Sequence, residues 1–254
     1  MIDGPLAWLA VNRPQAHNAL NLAVWRGLVD LSRTLASRED VRVVILRGAG
    51  DEAFMAGADI TEFPAVRADA AMTAEYDRET AAALLAVAAL EKPVIAMING
   101  LCFGGGCTVA LACDLRIAAD HARFAIPAAR LGLAYPLAGV ERLLHVVGPG
   151  HAADMLFSGR TLHADEAWHI GLVNRVVPAG QLEAVTRDYA LRMAEGAPLT
   201  LAAHKAAIQE LLRPTAERNQ QRVQALMKRC FDSADYKEGV AAFIAKRKPA
   251  FTGT

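Results

Sequence analysis

The stretch that decides the fold is PVIAMINGLCFGGGCTVALACD, residues 93–114. Val94–Ile98 is a short apolar run rich in β-branched residues and bounded by a proline and an Asn-Gly pair, which is typical of a buried strand. Gly104–Gly106 indicates a turn, and the small apolar residues after it favour a helix. This order aims unpaired backbone N–H groups and the positive helix end at one spot. Neither GxGxxG nor a P-loop is present, so a purely structural turn stays open.

A second turn of the same kind lies upstream, in FMAGADITEF at residues 54–63. It follows another apolar strand, Val41–Leu46, and exposes backbone through the small residues Ala56, Gly57 and Ala58. Two such turns can each donate one N–H group to the same ligand oxygen, which is the arrangement of an oxyanion hole. The sequence therefore predicts a binding site for a developing anion between the two turns.

The composition excludes a strongly charged surface as the basis of function. The 254 residues contain 27 Lys and Arg and also 27 Asp and Glu. The chain therefore has no excess of positive charge that would favour binding to nucleic acid or to an anionic membrane. Hydrophobic residues make up 54% of the chain, which is enough for a large core.

The cysteines and the N-terminal sequence indicate the compartment. Cys102, Cys107, Cys113 and Cys230 match no zinc spacing, so we expect reduced thiols and no metal site. No secretory or transit pattern is present, and no apolar span is long enough to cross a membrane. These features predict a cytoplasmic protein.

The order of the predicted elements favours an α/β fold. Strands alternate with helices such as Leu22–Ala36 and Arg78–Leu90, which predicts βαβ units, a mostly parallel sheet and a ligand at the carboxyl ends of the strands. The alanine-rich segment Thr61–Tyr76 is interpreted as a mobile loop or lid beside the site. The last part of the chain is helical, so we divide the protein into an α/β core, residues 1–195, and a helical C-terminal region, residues 196–254.

Five short motifs follow one another along the chain. They are Asn12-Arg13-Pro14 with Asn18-Ala19-Leu20, AGADI at 56–60, NGLCFGGG at 99–106, FAIPAARLGL at 124–133 and DSADYKEGVAAFIAKRKPAF at 232–251. In this order the sequence resembles the crotonase (enoyl-CoA hydratase/isomerase) superfamily over essentially its whole length. The resemblance implies a crotonase-like (ClpP-like) spiral of ββα units with a helical C-terminal trimerisation region. It also implies a homo-oligomer, either a trimer or a dimer of trimers.

The resemblance also implies the site and its ligand. An acyl-CoA thioester would place its carbonyl oxygen between the backbone N–H groups of Ala58 and Gly105, with coenzyme A as part of the substrate and no prosthetic group. The residues implied to contact coenzyme A are Ala19, Ala56, Ile60, Phe243 and Lys246. Phe243 and Lys246 would reach the nucleotide of a neighbouring subunit's ligand, although a solvated terminal charge remains an equal alternative for Lys246.

Two glutamates that the family's hydratases use are missing at the matching positions. The first would stand two residues after the glycine triplet, where this chain has Thr108, and the second after the proline of F-x-x-P, where it has Ala128. A threonine hydroxyl can hold a water molecule but is too weak a base to activate it, and alanine can do neither. Ordinary hydratase and isomerase chemistry is therefore disfavoured.

Tyr135, in LGLAYPLAGVERL at 131–143, is the polar side chain that this sequence offers instead. The segment most resembles the methylmalonyl-CoA decarboxylase branch, which carries an active-site tyrosine at this place. That branch has a histidine where Ala58 stands in this chain. Thr61 and Arg130 are untested candidates to replace that histidine. A phenol can donate a proton without first ionising. The prediction is an enzyme, a lyase whose reaction stays open, with decarboxylation as the leading hypothesis. The alternatives are a hydratase-like enzyme with a non-standard base, a catalytically silent acyl-CoA-binding protein, and a packed loop aromatic as the sole role of Tyr135.

Overall fold

Two β-sheets form the centre of the computed structural model, which describes residues 1–254. The ten strands are β1 (Ile2–Asp3), β2 (Leu6–Val11), β3 (Val43–Gly48), β4 (Ala53–Met55), β5 (Val94–Ile98), β6 (Leu101–Phe103), β7 (Leu115–Ala119), β8 (Arg123–Ala125), β9 (Leu162–His163) and β10 (Arg175–Val177). The larger sheet has the order β1-β2-β3-β5-β7-β10 and the smaller one β4-β6-β8-β9. All pairings are parallel except β1 with β2 and β8 with β9.

Ten α-helices surround and extend these sheets. They are α1 (Leu22–Ala36), α2 (Phe63–Val66), α3 (Ala70–Ala88), α4 (Gly105–Ala112), α5 (Leu137–Ser158), α6 (Ala164–His169), α7 (Leu182–Ala194), α8 (Pro198–Leu212), α9 (Gln220–Asp232) and α10 (Ala234–Ile244). No helix combines the length and the apolar sequence of a membrane-spanning segment.

The chain builds the two sheets by repeating one unit three times. In the pairs β3–β4, β5–β6 and β7–β8, the first strand joins the larger sheet and the second joins the smaller one. Each pair leads into a helix that covers the sheets, namely α3, α4 and α5 in turn. This arrangement confirms the predicted spiral of ββα units and places the turns after β4 and β6 beside one another.

The central strands β3 and β5 each contain a run of four or five apolar residues, because helices cover both faces of the larger sheet. Alternate residues of β3 point to opposite sides: Val44 and Leu46 belong to the main core cluster, and Val43 and Ile45 to a smaller cluster under α7. All four are at most 1% exposed. A strand buried on both faces appears in the sequence as a continuous apolar run, which is why β3 and β5 could be predicted.

The prediction of a mobile loop over Thr61–Tyr76 is wrong. The segment consists of a 3₁₀ helix, α2 and the first two turns of α3, which begins at Ala70. Asp69 caps α3 by accepting a hydrogen bond from the Met72 N–H group at 2.8 Å. Tyr76 is 4% exposed and packs edge-on against Phe63, with 5.9 Å between ring centroids. The high helix propensity of alanine and this aromatic contact explain why the segment is helical and fixed to the core.

The helical C-terminal region is attached to the core by polar contacts. Lys205 on α8 is 9% exposed and donates hydrogen bonds to the Asp114 carboxylate at 2.7 Å and to the Lys92 carbonyl at 3.1 Å. Gln209 donates to the Ala88 carbonyl at 2.8 Å. The boundary between residues 195 and 196 stays a prediction.

Candidate active site

The first site-forming turn is held in place by a short bridge between Leu20 and Ala58. The Leu20 N–H group donates to the Gly57 carbonyl at 2.8 Å, and the Asp59 N–H group donates to the Leu20 carbonyl at 3.0 Å. Since neighbouring backbone groups on an extended chain point in opposite directions, the Ala58 N–H group points away from Leu20. It has no hydrogen-bond acceptor in the protein.

Hydrogen bonds and an ion pair among the side chains of Arg13, Asp59 and Thr61 hold this turn in place. One Arg13 guanidinium nitrogen, Nη1, donates to the Ala19 carbonyl at 2.7 Å and lies 2.9 Å from an Asp59 carboxylate oxygen. The Thr61 hydroxyl donates to the other Asp59 oxygen at 2.6 Å. The hydrogen bond from Thr61, followed by that from Arg13, lowers the pKa of Asp59 below its usual value although burial opposes this. Asp59 is therefore a structural anion.

We expect Asp59→Asn to weaken these interactions and to lower the unfolding free energy by an amount that depends on pH. A carboxyl group whose pKa is lowered in the folded state stabilises the fold above its unfolded pKa of about 3.9, and this contribution is lost as the pH falls through the lower folded value. At pH 7 the variant should lose about 1.5–3 kcal/mol of unfolding free energy, the contribution of a charged hydrogen bond. Denaturant unfolding between pH 2 and pH 7 measures this. An equal deficit at both ends of that range would contradict it.

The second turn opens helix α4 directly in front of the first. The Gly105 N–H group begins the helix and has no acceptor, whereas the Gly104 N–H group donates to the Ala125 carbonyl at 2.8 Å. A Cβ atom on Gly105 would lie 3.3 Å from the Ala58 nitrogen, so the two turns are in contact. On Gly106 it would lie 2.1 Å from the Met55 carbonyl oxygen, which explains the need for glycine there. Two free N–H donors thus lie side by side, and their role as an oxyanion hole stays a prediction.

An indole ring forms one wall beside this pair of donors. Trp25 Cζ2 lies 3.5 Å from the position of a Cβ on Gly105, and Leu20 Cδ1 lies 3.4 Å from it. Trp25 is 3% exposed, and its Nε1–H group donates to the Tyr76 hydroxyl at 3.2 Å. Burial raises the pKa of Tyr76. Sequence reasoning missed Trp25, because the only signal was an aromatic residue on the buried face of α1.

Replacing Tyr76 by phenylalanine should destabilise the protein by about 1–3 kcal/mol, because it leaves the buried Trp25 donor without an acceptor. Tyr189→Phe is the matched control, since the hydroxyl of Tyr189 has no hydrogen-bond partner in the protein. Urea unfolding of both variants measures the difference. Equal stability of the two variants would show that the Trp25–Tyr76 hydrogen bond contributes nothing.

Thr108 and Tyr135 form a pair of hydroxyl groups next to the second turn. Their oxygens are 2.5 Å apart, and the Tyr135 hydroxyl also lies in hydrogen-bonding contact with the Gly104 carbonyl at 3.1 Å. Thr108 is 4% exposed. Burial raises the pKa of Tyr135 well above its usual value, and the neighbouring Cys107 thiol adds to this. Tyr135 therefore stays protonated at neutral pH and can act as a donor.

No carboxylate is hydrogen-bonded to either of these hydroxyls. Ala128 lies in the 3₁₀ helix Pro127–Leu131 and contributes only a methyl group. Glu62, a carboxylate of the neighbouring segment, accepts a hydrogen bond from the Leu22 N–H group at 2.9 Å and caps α1. The arrangement offers hydrogen-bond donors but no evident general base.

Thr61 and Arg130, the candidate substitutes for the missing histidine, both make contacts within the protein. The Thr61 hydroxyl is occupied by Asp59, and the Arg130 guanidinium donates to the Ser158 carbonyl at 3.5 Å, at the far end of α5. Whether either side chain replaces the histidine stays a prediction.

The residues expected to contact coenzyme A fall into two places. Ala19 and Ala56 flank the first turn, where the Ala56 N–H group donates to the His17 carbonyl at 3.0 Å, and the 53% exposed Ile60 lies at its rim. Phe243 and Lys246 lie at the end of α10 instead; Phe243 is 85% exposed and lines an apolar groove of about 570 Å³ between α8, α9 and α10. A single chain therefore does not bring these two together with the turns.

Comparison with known proteins identifies the class of this fold and site. A family model described as enoyl-CoA hydratase/isomerase matches residues 2–254. A solved enoyl-CoA hydratase/carnithine racemase from Magnetospirillum magneticum superposes with a TM-score of 0.93 at 41% identity, over 100% of this chain and 94% of that one. The chain belongs to the enoyl-CoA hydratase/isomerase family, also called the crotonase superfamily.

Two curated relatives carry more particular names. A crotonyl-CoA hydratase from Syntrophomonas wolfei is 37% identical over 97% of this chain and 94% of its own length. A short-chain-enoyl-CoA hydratase from Clostridium acetobutylicum is 35% identical over the same shares. The prediction that the protein is a lyase of unspecified reaction is wrong, because both relatives are named for one specific reaction, as hydratases. Neither name refers to a decarboxylase.

Proposed function

We propose that this protein binds an acyl-CoA thioester, holds its carbonyl oxygen between the N–H groups of Ala58 and Gly105, and decarboxylates a malonyl- or methylmalonyl-type acyl group. The single observation that carries the proposal is the Thr108–Tyr135 hydroxyl pair, which lies beside two free N–H donors with no carboxylate bonded to it. Hydration needs a base to activate water, whereas loss of CO₂ needs only an acceptor for the electrons and a proton source.

The proposed reaction balances with the groups at hand. The bond between the α-carbon and the carboxylate breaks, CO₂ leaves, and the electron pair passes into the thioester to form an enolate. The N–H groups of Ala58 and Gly105 stabilise the enolate oxygen. The Tyr135 hydroxyl turns away from the Gly104 carbonyl and gives its proton to the α-carbon, and solvent then restores that proton. Thr108 donates a hydrogen bond to the tyrosine oxygen while it carries the charge.

Hydration of an enoyl-CoA is the second candidate, and the names of the relatives favour it. It would require a base other than side chains at positions 108 and 128. A catalytically silent acyl-CoA-binding protein is the third, since it would need the two turns and nothing else. Both share the binding half of the proposal.

The rest of the proposal concerns assembly. A homo-oligomer, either a trimer or a dimer of trimers, would let Phe243 and Lys246 reach the ligand of a neighbouring subunit. Their exposure at the end of α10 supports this. Coenzyme A enters as part of the substrate, and a cytoplasmic location remains an expectation.

Mass spectrometry of the purified protein incubated with malonyl-, methylmalonyl-, crotonyl- and a longer enoyl-CoA tests the reaction. Loss of CO₂ from a malonyl-type thioester is expected, with no change of the crotonyl and enoyl thioesters. Gain of water on crotonyl-CoA without loss of CO₂ would overturn the proposal in favour of the second candidate. No change in any thioester, together with calorimetric binding of acetyl-CoA, would favour the third.

A further inference from the structure

Gly139 lies in the first turn of α5, where its missing side chain leaves room for the Tyr135 ring. A Cβ atom built on Gly139 would be 2.8 Å from Tyr135 Cε1 and 3.2 Å from Cδ1. It would also be 3.4 Å from the Thr108 methyl carbon, Cγ2. Carbon atoms in contact prefer about 3.5–4.0 Å, so a methyl group at position 139 cannot coexist with the ring where it stands.

The ring is thus held between two small residues from two helices. Gly139 on α5 lies against one ring edge, while Thr108 on α4 contacts the hydroxyl at the ring's end. The backbone of Tyr135 has little freedom to compensate, because it precedes Pro136 and proline restricts the residue before it. A group that pushes on Cε1, the atom next to the hydroxyl-bearing carbon, displaces the hydroxyl from Thr108.

We propose that Gly139 is a positioning residue, which places the Tyr135 hydroxyl against Thr108 and the α4 turn by leaving its own side-chain position empty. The effect of Gly139 on turnover rests on the proposed function, whereas its effect on the tyrosine's placement does not. The titratable groups that face the phenol are Cys107 on α4 and Cys102 on β6. Both are buried thiols, so the tyrosine's titration reports mainly on its own burial.

The test compares Gly139→Ala with Gly150→Ala. Gly150 lies in the second part of α5, beyond the helix break at Gly148, and a Cβ there meets nothing within 4 Å. For a malonyl-type thioester we expect Gly139→Ala to lower kcat at least about tenfold at nearly unchanged KM, as loss of a proton donor does. Adding Gly139→Ala to Tyr135→Phe should change kcat no further. Full activity of Gly139→Ala, or losses that multiply in the double variant, would overturn the proposal.

A second measurement needs no turnover. Ultraviolet titration of tyrosine, with Tyr135→Phe as the blank, follows the ionisation of Tyr135 in each background. Gly139→Ala should move this ionisation to lower pH, toward that of an ordinary tyrosine, while Gly150→Ala leaves it in place. An unchanged titration in folded Gly139→Ala would overturn the positioning role even if no substrate is found.

A stability comparison covers the case in which Gly139→Ala folds poorly. Alanine is a better helix former than glycine. If the Tyr135 ring is the only obstacle to a side chain at position 139, Gly139→Ala should therefore stabilise the protein once that ring is removed. We expect Gly139→Ala to lower Tm in the native sequence and to raise it in a Tyr135→Ala background. A decrease of similar size in both backgrounds would overturn the proposal.

Discussion

Replacing Tyr135 by phenylalanine is expected to lower kcat for a malonyl-type thioester by about 10²- to 10⁴-fold, the usual contribution of a positioned general acid. KM should change little, because the ring that fills the space beside Gly139 is kept and only the hydroxyl is lost. The raised pKa of Tyr135 means that the phenol is fully protonated at neutral pH. Steady-state measurements of CO₂ release at varied thioester concentration give kcat and KM separately.

Two controls make this result specific to the phenol. Tyr189→Phe removes a hydroxyl that has no hydrogen-bond partner, and Thr108→Val removes the partner hydroxyl while keeping the shape of the side chain. We expect the first to be neutral and the second to cost less than Tyr135→Phe, since Thr108 only assists the tyrosine. A Tyr135→Phe variant with full turnover would show that the proton comes from another group.

Removing one N–H donor is expected to have a comparable effect on the rate. Gly105→Pro deletes the N–H group at the first residue of α4, where the helix does not need it and proline is tolerated. Loss of one oxyanion-hole donor typically lowers kcat by about 10²- to 10³-fold. The measurement is kcat for the same thioester, with circular dichroism to confirm that the helix is intact.

Gly105→Ala is the matched control for the proline variant. It keeps the N–H group and adds a Cβ that meets Ala58 N, Leu20 and Trp25 at 3.3–3.5 Å, which is tight but not prohibitive. The alanine variant should therefore retain most of the activity that the proline variant loses. Equal losses in both would mean that crowding at position 105, rather than the missing donor, accounts for the effect.

Much of the fold could be predicted because the central strands are buried on both faces. The continuous apolar run of β5 and the amphipathic pattern of α1 have the predicted bounds. The short strands β4 and β6 were not predicted, since three residues are too few to show a period. They pair only with distant parts of the chain, which no local pattern records.

The site could be predicted in part for a related reason. Both glycine-containing turns were identified from local sequence, and the structure places Ala58 and Gly105 side by side. The contacts of Trp25 with Gly105 and of Gly139 with Thr108 could not be found this way, because each joins segments far apart in the chain. Even where Tyr135 was singled out, its pairing with Thr108 required the packing of α5 on α4.

A crystal structure of the protein with bound acetyl-CoA, the expected product of malonyl-CoA, tests the central claim most directly. The thioester oxygen should lie about 2.7–3.1 Å from both the Ala58 and the Gly105 nitrogen atoms. The Tyr135 hydroxyl should be the polar side-chain group nearest to the methyl carbon, which corresponds to the α-carbon. A thioester oxygen bound away from these two nitrogens, or a carboxylate nearer than Tyr135 to the methyl carbon, would contradict the proposed mechanism.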